Sequence, residues 1–420
     1  MVLISRILAL VLAVSYSYLG YVDVLGPLSM GVITLFCLSS IMILLQLTNR
    51  RYPTHKVLGL IIVIAILCIW TDTVINGEFR LRAIQQFVTP IAVFLSAFGI
   101  IYCLRFTTFY LYSFASLLVL SCLVAIFQGL DIDFAWELRY AFPASDDKMV
   151  EYQLMTKSKP AGLSFYAVQL GYQMVLACLL LLILNARLGS RDSNRFIILG
   201  LIIIFLAAVI GLNLSALISI SIMLYVHSGT QRQFRIRGIH IFIAILFLAG
   251  AMISPIGQRI LSADASMLSR VTFTIVGILL VVNNPFGVPT ADLYQAKLEI
   301  VNQLYGSGSF VMLEDILDMG LHNSFLNVGV QLGWVGLFLY LYFYFSLTKY
   351  FYTLIRSKSL VESKLGSIGF SFMLGYLVQI MTHNAGPFNI DIYFWFGIGF
   401  LLAMVSVEKE HCRRLGNGAI

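Results

Sequence analysis

Apolar side chains run along this chain in long blocks, which short polar segments separate. A helix needs about 20 apolar residues to cross the hydrocarbon core of a bilayer, and blocks of about 17 to 25 residues recur here. They predict about twelve membrane spans, over residues 3–20, 25–47, 57–76, 83–104, 107–129, 162–186, 196–211, 213–227, 239–256, 329–348, 366–383 and 389–407. The expected fold class is therefore all-α, that of a polytopic integral membrane protein.

The seventh and eighth predicted spans share one apolar stretch, Phe196 to Val226. This stretch is too long for a single ordinary span. Only Gly211 and Asn213 interrupt it, and they predict a tight helical hairpin.

Two connections between the spans, residues 130–161 and 257–328, are much longer than the others. Long ordered loops usually carry function. The pattern therefore divides the chain into three parts. Residues 1–256 hold spans one to nine and the first outer loop, 257–328 form a large outer loop, and 329–420 hold the last three spans and a tail.

The large loop contains two helical patterns. The apolar run Leu268 to Val282, interrupted by Arg270, is too short for a span and predicts a re-entrant or interfacial helix. Ala291 to Tyr305 has an apolar face, which predicts an amphipathic helix on the membrane surface. The apolar positions are Leu293, Ile300, Val301 and Leu304, whereas Asp292, Lys297 and Glu299 fall elsewhere.

The distribution of charge predicts the orientation of the spans. With both termini in the cytoplasm, 18 of the 27 Lys and Arg residues and only four acidic residues fall in cytoplasmic segments. Cytoplasmic loops of membrane proteins retain Lys and Arg, so this orientation is the expected one. The basic pI of 9.0 then reflects topology, and nucleic-acid binding is not needed to explain it.

Composition narrows the class of protein further. Hydrophobic residues make up 60% of the chain and charged residues 11%, which excludes a soluble globular domain. None of the six cysteines falls in an outer loop, so no disulfide framework or metal cluster is expected. Arg6 precedes the first apolar block, but no convincing cleavage site follows it, so the block is interpreted as a retained helix.

Two histidines lie on the predicted outer face, His322 and His383, and each is followed by asparagine. A histidine at a membrane boundary can titrate near neutrality and accept a proton. The alternative for His322 is a polar interfacial cap with no chemistry. For His383 a structural role is favoured.

Outer cations form a second group of candidates. A guanidinium is planar and suits phosphate oxygens, so Arg270, before an apolar helix, is a candidate for binding a lipid-linked pyrophosphate. The alternative partner of any one of these cations is a lipid headgroup or an acidic side chain. The group comprises Arg80, Arg82, Arg139, Lys157, Lys159, Arg259 and Arg270.

The run His322 to Leu337, preceded by Arg270 and by Asn284-Pro285-Phe286-Gly287-Val288, resembles the signature of the bacterial O-antigen polymerase and O-antigen ligase superfamily. That signature has an arginine before an apolar helix, a Pro-x-Gly turn, His-Asn-x-x-Leu and Gly-x-x-Gly. The glycines of this run, which include Gly333 and Gly336, also predict close helix packing. The segment His383 to Phe388 is similar to the last span of the family. The resemblance covers the C-terminal third of the chain.

The chain departs from the family pattern at two places. Many members have a basic residue near a glycine-containing turn ahead of the sixth span, and here Lys159-Pro160-Ala161-Gly162 implies that Lys159 takes that place. Many members have Ser-Arg at the start of the eighth span, whereas this chain has Ser215-Ala216. The contact of that arginine would then come from another residue.

The resemblance implies glycosyl transfer on the periplasmic face of a bacterial inner membrane, with an undecaprenyl-pyrophosphate-linked glycan as donor. His322 would deprotonate or orient the acceptor hydroxyl. Arg270 would stabilise the leaving pyrophosphate, assisted by Lys159 and Arg259.

Asn323 and His383 would support these residues. No metal and no cofactor are expected. The expected partners are the lipid-linked oligosaccharide, membrane lipids and a chain-length regulator.

Three functions stay open at this point. A polymerase transfers glycan to another lipid-linked repeat unit, and it is favoured because the chain is very apolar and departs from the family at Ser215-Ala216. A ligase would transfer glycan to lipid A-core. A transporter or flippase is a weaker alternative, because the charges lie at span ends and the chain has no repeated halves.

Overall fold

A computed structural model describes two short segments, 23–25 and 28–29, and then most of the chain after residue 92. The latter comprises 93–99, 101, 107–140, 152, 155–157, 159–164, 166–188, 191–230, 264–289, 291–306, 321–383, 386–387 and 391–417. Two strands, β1 (Asp23–Leu25) and β2 (Leu28–Ser29), pair antiparallel. The second predicted span was therefore wrong at residues 25, 28 and 29, where the intervening Gly26-Pro27 favours a turn.

Residues 93–99 and 101 are helical, and ten longer helices make up most of the rest of the described structure. They are α1 (Thr107–Gly129), α2 (Asp133–Tyr140), α3 (Ala167–Leu188), α4 (Arg191–Ile210), α5 (Leu214–Thr230), α6 (Asp264–Asn283), α7 (Leu293–Tyr305), α8 (Ser324–Leu354), α9 (Leu360–Thr382) and α10 (Ile392–Asn417).

Five of these helices are long and apolar enough to cross a membrane: Thr108–Gly129, Ala167–Arg187, Ser324–Leu354, Leu360–Thr382 and Ile392–Cys412. The helical membrane-protein class predicted from the sequence is thereby confirmed. Predicted spans one, three and nine lie outside the described residues, as do most of spans two and four.

The helical hairpin predicted within Phe196 to Val226 is confirmed as α4 and α5, which are shorter than the five candidate spans. A turn at residues 211–213 separates the two helices, and Leu212 adopts a left-handed φ of 50° there. Helix α5 packs against α9, and α9 packs against α8. These contacts form the centre of the bundle, where buried aromatic residues fill the space between α8, α9 and α10: Tyr344, Phe372, Tyr376, Phe394 and Trp395.

Helix α8 is broken at Gly333, whose φ of 67° and ψ of −165° are not helical. The ring of Phe325 lies 4.7 Å from that of Tyr340 and 5.8 Å from that of Tyr344. These residues would be far apart on a straight helix, so residues 324–332 fold back beside the helix that starts at 334. The predicted close packing is confirmed at Gly329, where a Cβ would lie 2.9 Å from Val281 of α6. Gly333 also allows a close approach, but it forms the break and its neighbour is a turn, not a helix.

Helices α6 and α7 confirm the two helical patterns of the large loop. The apolar face of α7 packs on α6, since Ile300 and Val301 are buried in one cluster with Phe273. Lys297 was expected away from that face, but it is only 4% exposed. It lies three and four residues before the buried pair, and this spacing places all three on the same side of the helix.

Candidate functional site

His322 lies immediately before the cap of α8 and adopts a left-handed φ of 48°. Residues other than glycine rarely take this conformation, although histidine tolerates it better than most. Its half-buried imidazole packs on α6, with its ring centroid 5.1 Å from that of Phe273. Asn323 is the N-cap of α8 and accepts a hydrogen bond from the amide of Leu326 at 3.2 Å. The histidine is therefore fixed between a helix cap and a neighbouring helix.

Arg270 lies in the helix on which His322 packs. It precedes Phe273 by three residues, about one helical turn. The fold thus brings the arginine segment of α6 close to His322, although 52 positions separate them in the sequence. Arg259 lies outside the described residues.

The turn after α6 docks on the break in α8. The Pro285 carbonyl accepts a hydrogen bond from the Trp334 amide at 2.9 Å, and the Val288 amide donates to the Val330 carbonyl at 2.7 Å. A Cβ on Gly333 would lie 2.3 Å from the Pro285 oxygen, so only glycine fits there. Helix α6, the turn that follows it and the start of α8, which are separate in the sequence, therefore form one structural unit.

Lys159 lies in an exposed turn that is fixed from inside the bundle. Gln128, near the end of α1, accepts hydrogen bonds from the amides of Ala161 (2.9 Å) and Gly162 (2.8 Å). Its own amide donates to the carbonyls of Ala135 (3.1 Å) and Gly162 (3.0 Å). One buried side chain therefore joins α1, α2 and the Lys159 turn.

The two lysines of this outer loop have different surroundings. Lys157 donates to Asp133 at 2.6 Å and lies 3.9 Å from Asp131. The hydrogen bond from Lys157 lowers the pKa of Asp133, and in return the pKa of Lys157 is raised. Lys159 is exposed and makes no ion pair within the described part of the chain. It is therefore the lysine of the pair that is available to an anionic ligand.

His383 is buried where α9 ends. Its Nε2 lies 2.7 Å from the hydroxyl of Ser215, at the start of α5. The Ser215 hydroxyl also lies 3.1 Å from the Asn213 side-chain oxygen, and the His383 ring lies 5.9 Å from that of Tyr172. Ser215, which precedes the sequence departure at Ala216, therefore makes a Ser–His contact that ties the helical hairpin to α9.

The Lys159 turn and the His383–Ser215 contact lie at one end of the bundle, where α1 and α9 end and α3 and α5 begin. Pro160, beside Lys159, approaches Gly211 of the helical hairpin, and the turn of that hairpin leads to Ser215 and His383. On the other side, Ser324, two residues after His322, lies directly against Gly386. Short contacts thus lead from the Lys159 turn to His383, and Gly386, three residues later in the chain, lies against the start of α8 beside His322.

A buried polar chain runs behind this end of the bundle. Leu163, after the Lys159 turn, donates to Ser121, which donates to Gln173, and Gln173 donates to Tyr393, each at 3.0 Å. The Tyr393 amide then donates to Asp391 at 2.8 Å. Asp391 precedes the last span, and burial raises the pKa of this carboxyl to about 7.

Sequence reasoning missed Gln128, Asp391 and the Ser215–His383 contact. Asp391 is an acid inside a predicted apolar span, and such residues are functional candidates by default, so it could have been singled out. Gln128 was harder to single out from the sequence, because its only distinctive feature is a polar amide near the end of a predicted span. Nothing in the sequence indicates the Ser215 contact, since 168 residues separate the two side chains.

The residues that the structure describes contain no group of three or more His, Cys, Asp or Glu side chains that could hold a metal ion. The fold and the site define a helical membrane protein that has ionisable and strained residues at one end of its bundle. No family model matches this chain, and no curated protein matches it either.

Proposed function

We propose that this protein is an O-antigen polymerase, a glycosyltransferase on the periplasmic face of a bacterial inner membrane. The proposal includes twelve spans, cytoplasmic termini and a periplasmic loop at 257–328. The observation that carries it is the unit around His322. A histidine in a strained backbone conformation packs on the helix that carries Arg270, beside the docked Pro285–Val288 turn. Strained conformations concentrate at functional sites.

In the proposed reaction, His322 accepts the proton of an acceptor sugar hydroxyl. The hydroxyl oxygen attacks the anomeric carbon of an undecaprenyl-pyrophosphate-linked glycan, and the bond from that carbon to the phosphate oxygen breaks. The products are the extended lipid-linked glycan and undecaprenyl pyrophosphate, with inversion at the anomeric carbon.

Cations stabilise the negative charge that develops on the leaving group. We assign this role to Arg270, with Lys159 and Arg259 as further contacts. Lys159 supports the assignment because it is exposed at the same end of the bundle as His322, whereas Lys157 is already paired with Asp133.

The test is lipopolysaccharide banding in a deletion strain complemented at matched expression with the wild type, His322→Ala or His411→Ala. His411 is an exposed histidine of α10 and serves as the matched control. A polymerase gives core with a single repeat unit in the deletion and in His322→Ala, and normal ladders in the control. Loss of a general base lowers the rate about 10²- to 10⁴-fold.

Two outcomes would contradict the proposal. Naked core with accumulated lipid-linked polymer would identify a ligase, which transfers the same donor to lipid A-core. A normal ladder from His322→Ala would show that His322 is only a helix-capping neighbour.

Arg270 is tested separately, by the release of undecaprenyl pyrophosphate from purified protein and lipid-linked repeat units. We expect Arg270→Ala to abolish release and Arg270→Lys to restore part of it, because a lysine keeps the charge but not the planar fork. Unchanged turnover in Arg270→Ala would remove this residue from the mechanism.

A further inference from the structure

Phe286, at the tip of the turn between α6 and α7, is 84% exposed. This is the largest exposed fraction of any large hydrophobic side chain in the described part of the protein. Isolated exposed apolar residues are common and need no explanation. The position of Phe286 relative to α8 makes it different from an isolated residue.

The turn holds Phe286 rigidly. Both neighbours are fixed on α8, because the Pro285 carbonyl accepts from the Trp334 amide and Gly287 has a φ of 94° with no room for a side chain. A Cβ on Gly287 would lie 2.8 Å from the carbonyl oxygen of Gln331. The phenyl ring therefore projects from a fixed backbone.

The turn docks at the apex of α8. Residues 324–332 fold back from Gly333, so only residues 334–354 continue as a straight helix. At 1.5 Å per residue this helix is about 31 Å long, close to the thickness of the hydrocarbon core of a bilayer. Gly333 and the docked turn therefore lie at one end of the part of α8 that is long enough to cross a membrane.

The exposed side of α8 continues up to this turn. Val335, Phe338, Tyr342 and Phe345 are 57% to 66% exposed and follow one another at intervals of three and four residues. This spacing places them in one stripe on a helix that is long and apolar enough to cross a membrane, so the stripe faces lipid. The backbone of Phe286 abuts Gly333, at the upper end of the stripe.

Helix α6 adds to the same surface. Ile278 and Val282 are 47% and 56% exposed and lie one turn apart, and Val282 precedes Phe286 by four residues. The Trp334 indole donates to the Val281 carbonyl at 2.8 Å, which fixes α6 against α8 at this level. Tryptophan is enriched at membrane boundaries, and Trp334 lies beside this turn.

We propose that the Phe286 turn is a membrane wedge, with the phenyl ring of Phe286 inserted among the acyl chains of the leaflet at the Gly333 end of α8. The occupant of this surface is bilayer lipid, because the surface continues the lipid-facing stripe of α8. The wedge sets the height of α6 relative to the bilayer, and with it the height of His322. The inference does not depend on the proposed reaction.

The test places the photo-crosslinking residue p-benzoylphenylalanine at position 286 of the full-length protein. The protein is reconstituted in vesicles of phosphatidylethanolamine and phosphatidylglycerol that contain no polyprenyl lipid, irradiated, and analysed by intact mass. Position 345, in the stripe, is the positive control, and position 94, which is fully buried, is the negative control.

We expect a phospholipid adduct at position 286 with a yield comparable to that at position 345 and at least about tenfold above that at position 94. A yield at position 286 no higher than at position 94 would overturn the proposal. So would an adduct only with protein, or one that requires added polyprenyl lipid, because the occupant would then be another surface or the isoprenoid chain of a substrate.

A second measurement keeps the proposal testable if the crosslinker disturbs folding. Phe286→Trp is compared with the parent protein in vesicles that contain phospholipids brominated at defined acyl positions. The added tryptophan fluorescence should be quenched by bromine near the carbonyl end of the acyl chains. Quenching that is unchanged from the parent would place residue 286 in water and contradict the wedge.

Discussion

Two turns of this protein share a local sequence pattern but present it in opposite ways. Pro160-Ala161-Gly162 and Pro285-Phe286-Gly287 are both Pro-x-Gly turns, and both glycines have positive φ angles, 61° and 94°. The middle residue of the first turn, Ala161, is 1% exposed, whereas Phe286 is 84% exposed. The local pattern fixes the bend but not the direction in which the middle side chain points.

The difference comes from what holds each turn. Gln128 reaches the first turn from within the bundle and binds its amides, which draws Ala161 inward. The second turn is held by the main chain of α8 at its break, which leaves the outer side of the turn open. A turn held by a buried side chain depends on that side chain, whereas a turn held by main-chain groups depends on backbone geometry.

The largest expected effect is that of Gln128→Ala. Four hydrogen bonds would be lost and buried backbone groups left without partners, so we expect a loss of about 2–4 kcal/mol in the free energy of unfolding. Thermal unfolding in detergent measures it, with Gln303→Ala, an exposed position on α7, as the control. Equal stability of the two variants would mean that the first turn does not depend on its buried amide.

Exchanging the middle residues tests the comparison directly. Ala161→Phe places a large side chain where no space exists, and we expect it to destabilise the protein by about 1–3 kcal/mol. Phe286→Ala removes an almost fully exposed side chain, so the stability in detergent should change by less than about 0.5 kcal/mol. The same assay compares the two variants. A larger loss from Phe286→Ala would show that Phe286 packs in the protein.

The two glycines sharpen the comparison further. Gly162→Ala and Gly287→Ala both place a Cβ on a left-handed residue, at 2.4 Å from the Ser121 carbonyl oxygen and 2.8 Å from that of Gln331. We expect each to cost about 1–2 kcal/mol, with Gly162→Ala the more severe. Gly229→Ala, where a Cβ meets nothing within 4 Å, should be neutral or stabilising. The reverse order would mean that the second turn is the more tightly packed.

The last prediction concerns the pH dependence of the free energy of unfolding, which we expect behind the first turn and not behind the second. The polar chain behind the first turn ends on Asp391, whose folded-state pKa of about 7 lies above the ordinary value of 3.8. The unfolded chain releases this proton at lower pH than the folded protein does, so the contribution of Asp391 to stability falls as pH rises from about 4 to about 7.

Asp391→Asn removes that titration and keeps an oxygen that can accept the hydrogen bond of Tyr393. The free energy of unfolding of Asp391→Asn minus that of the wild type should increase by about 1 kcal/mol from pH 6 to pH 8. Thermal unfolding at the two pH values measures the difference. A gain that does not change with pH would show that Asp391 keeps one protonation state over this range.

Much of the described fold followed from the apolar pattern. The hairpin around Gly211, the last three spans and the helices of the large loop were all predicted, because lipid permits few alternatives to long apolar helices. The fold-back at Gly333 was not predicted. A helix break inside an apolar run depends on a partner segment about 45 residues earlier, and periodicity carries no information on such contacts.

For the candidate site, residue chemistry and motif order selected His322, Arg270, Lys159 and His383, but not what holds them. The partner of His383 is Ser215, which the comparison of motifs had named only as the neighbour of a missing arginine. The support of the Lys159 turn comes from a glutamine on another helix. Long-range polar contacts of this kind depend on the packing of whole helices, which local sequence patterns do not reveal.

The break at Gly333 also has a consequence for the order in which the protein is made. The ribosome synthesises Pro285 to Val288 before it reaches Val330 to Trp334, so the segment that forms the turn is already present when its docking partner emerges. The machinery that inserts helices into the membrane selects them by hydrophobicity, so it would insert α8 as one continuous segment. The sharp bend must then form after insertion, and the earlier turn provides the backbone partners that make the bend the stable arrangement.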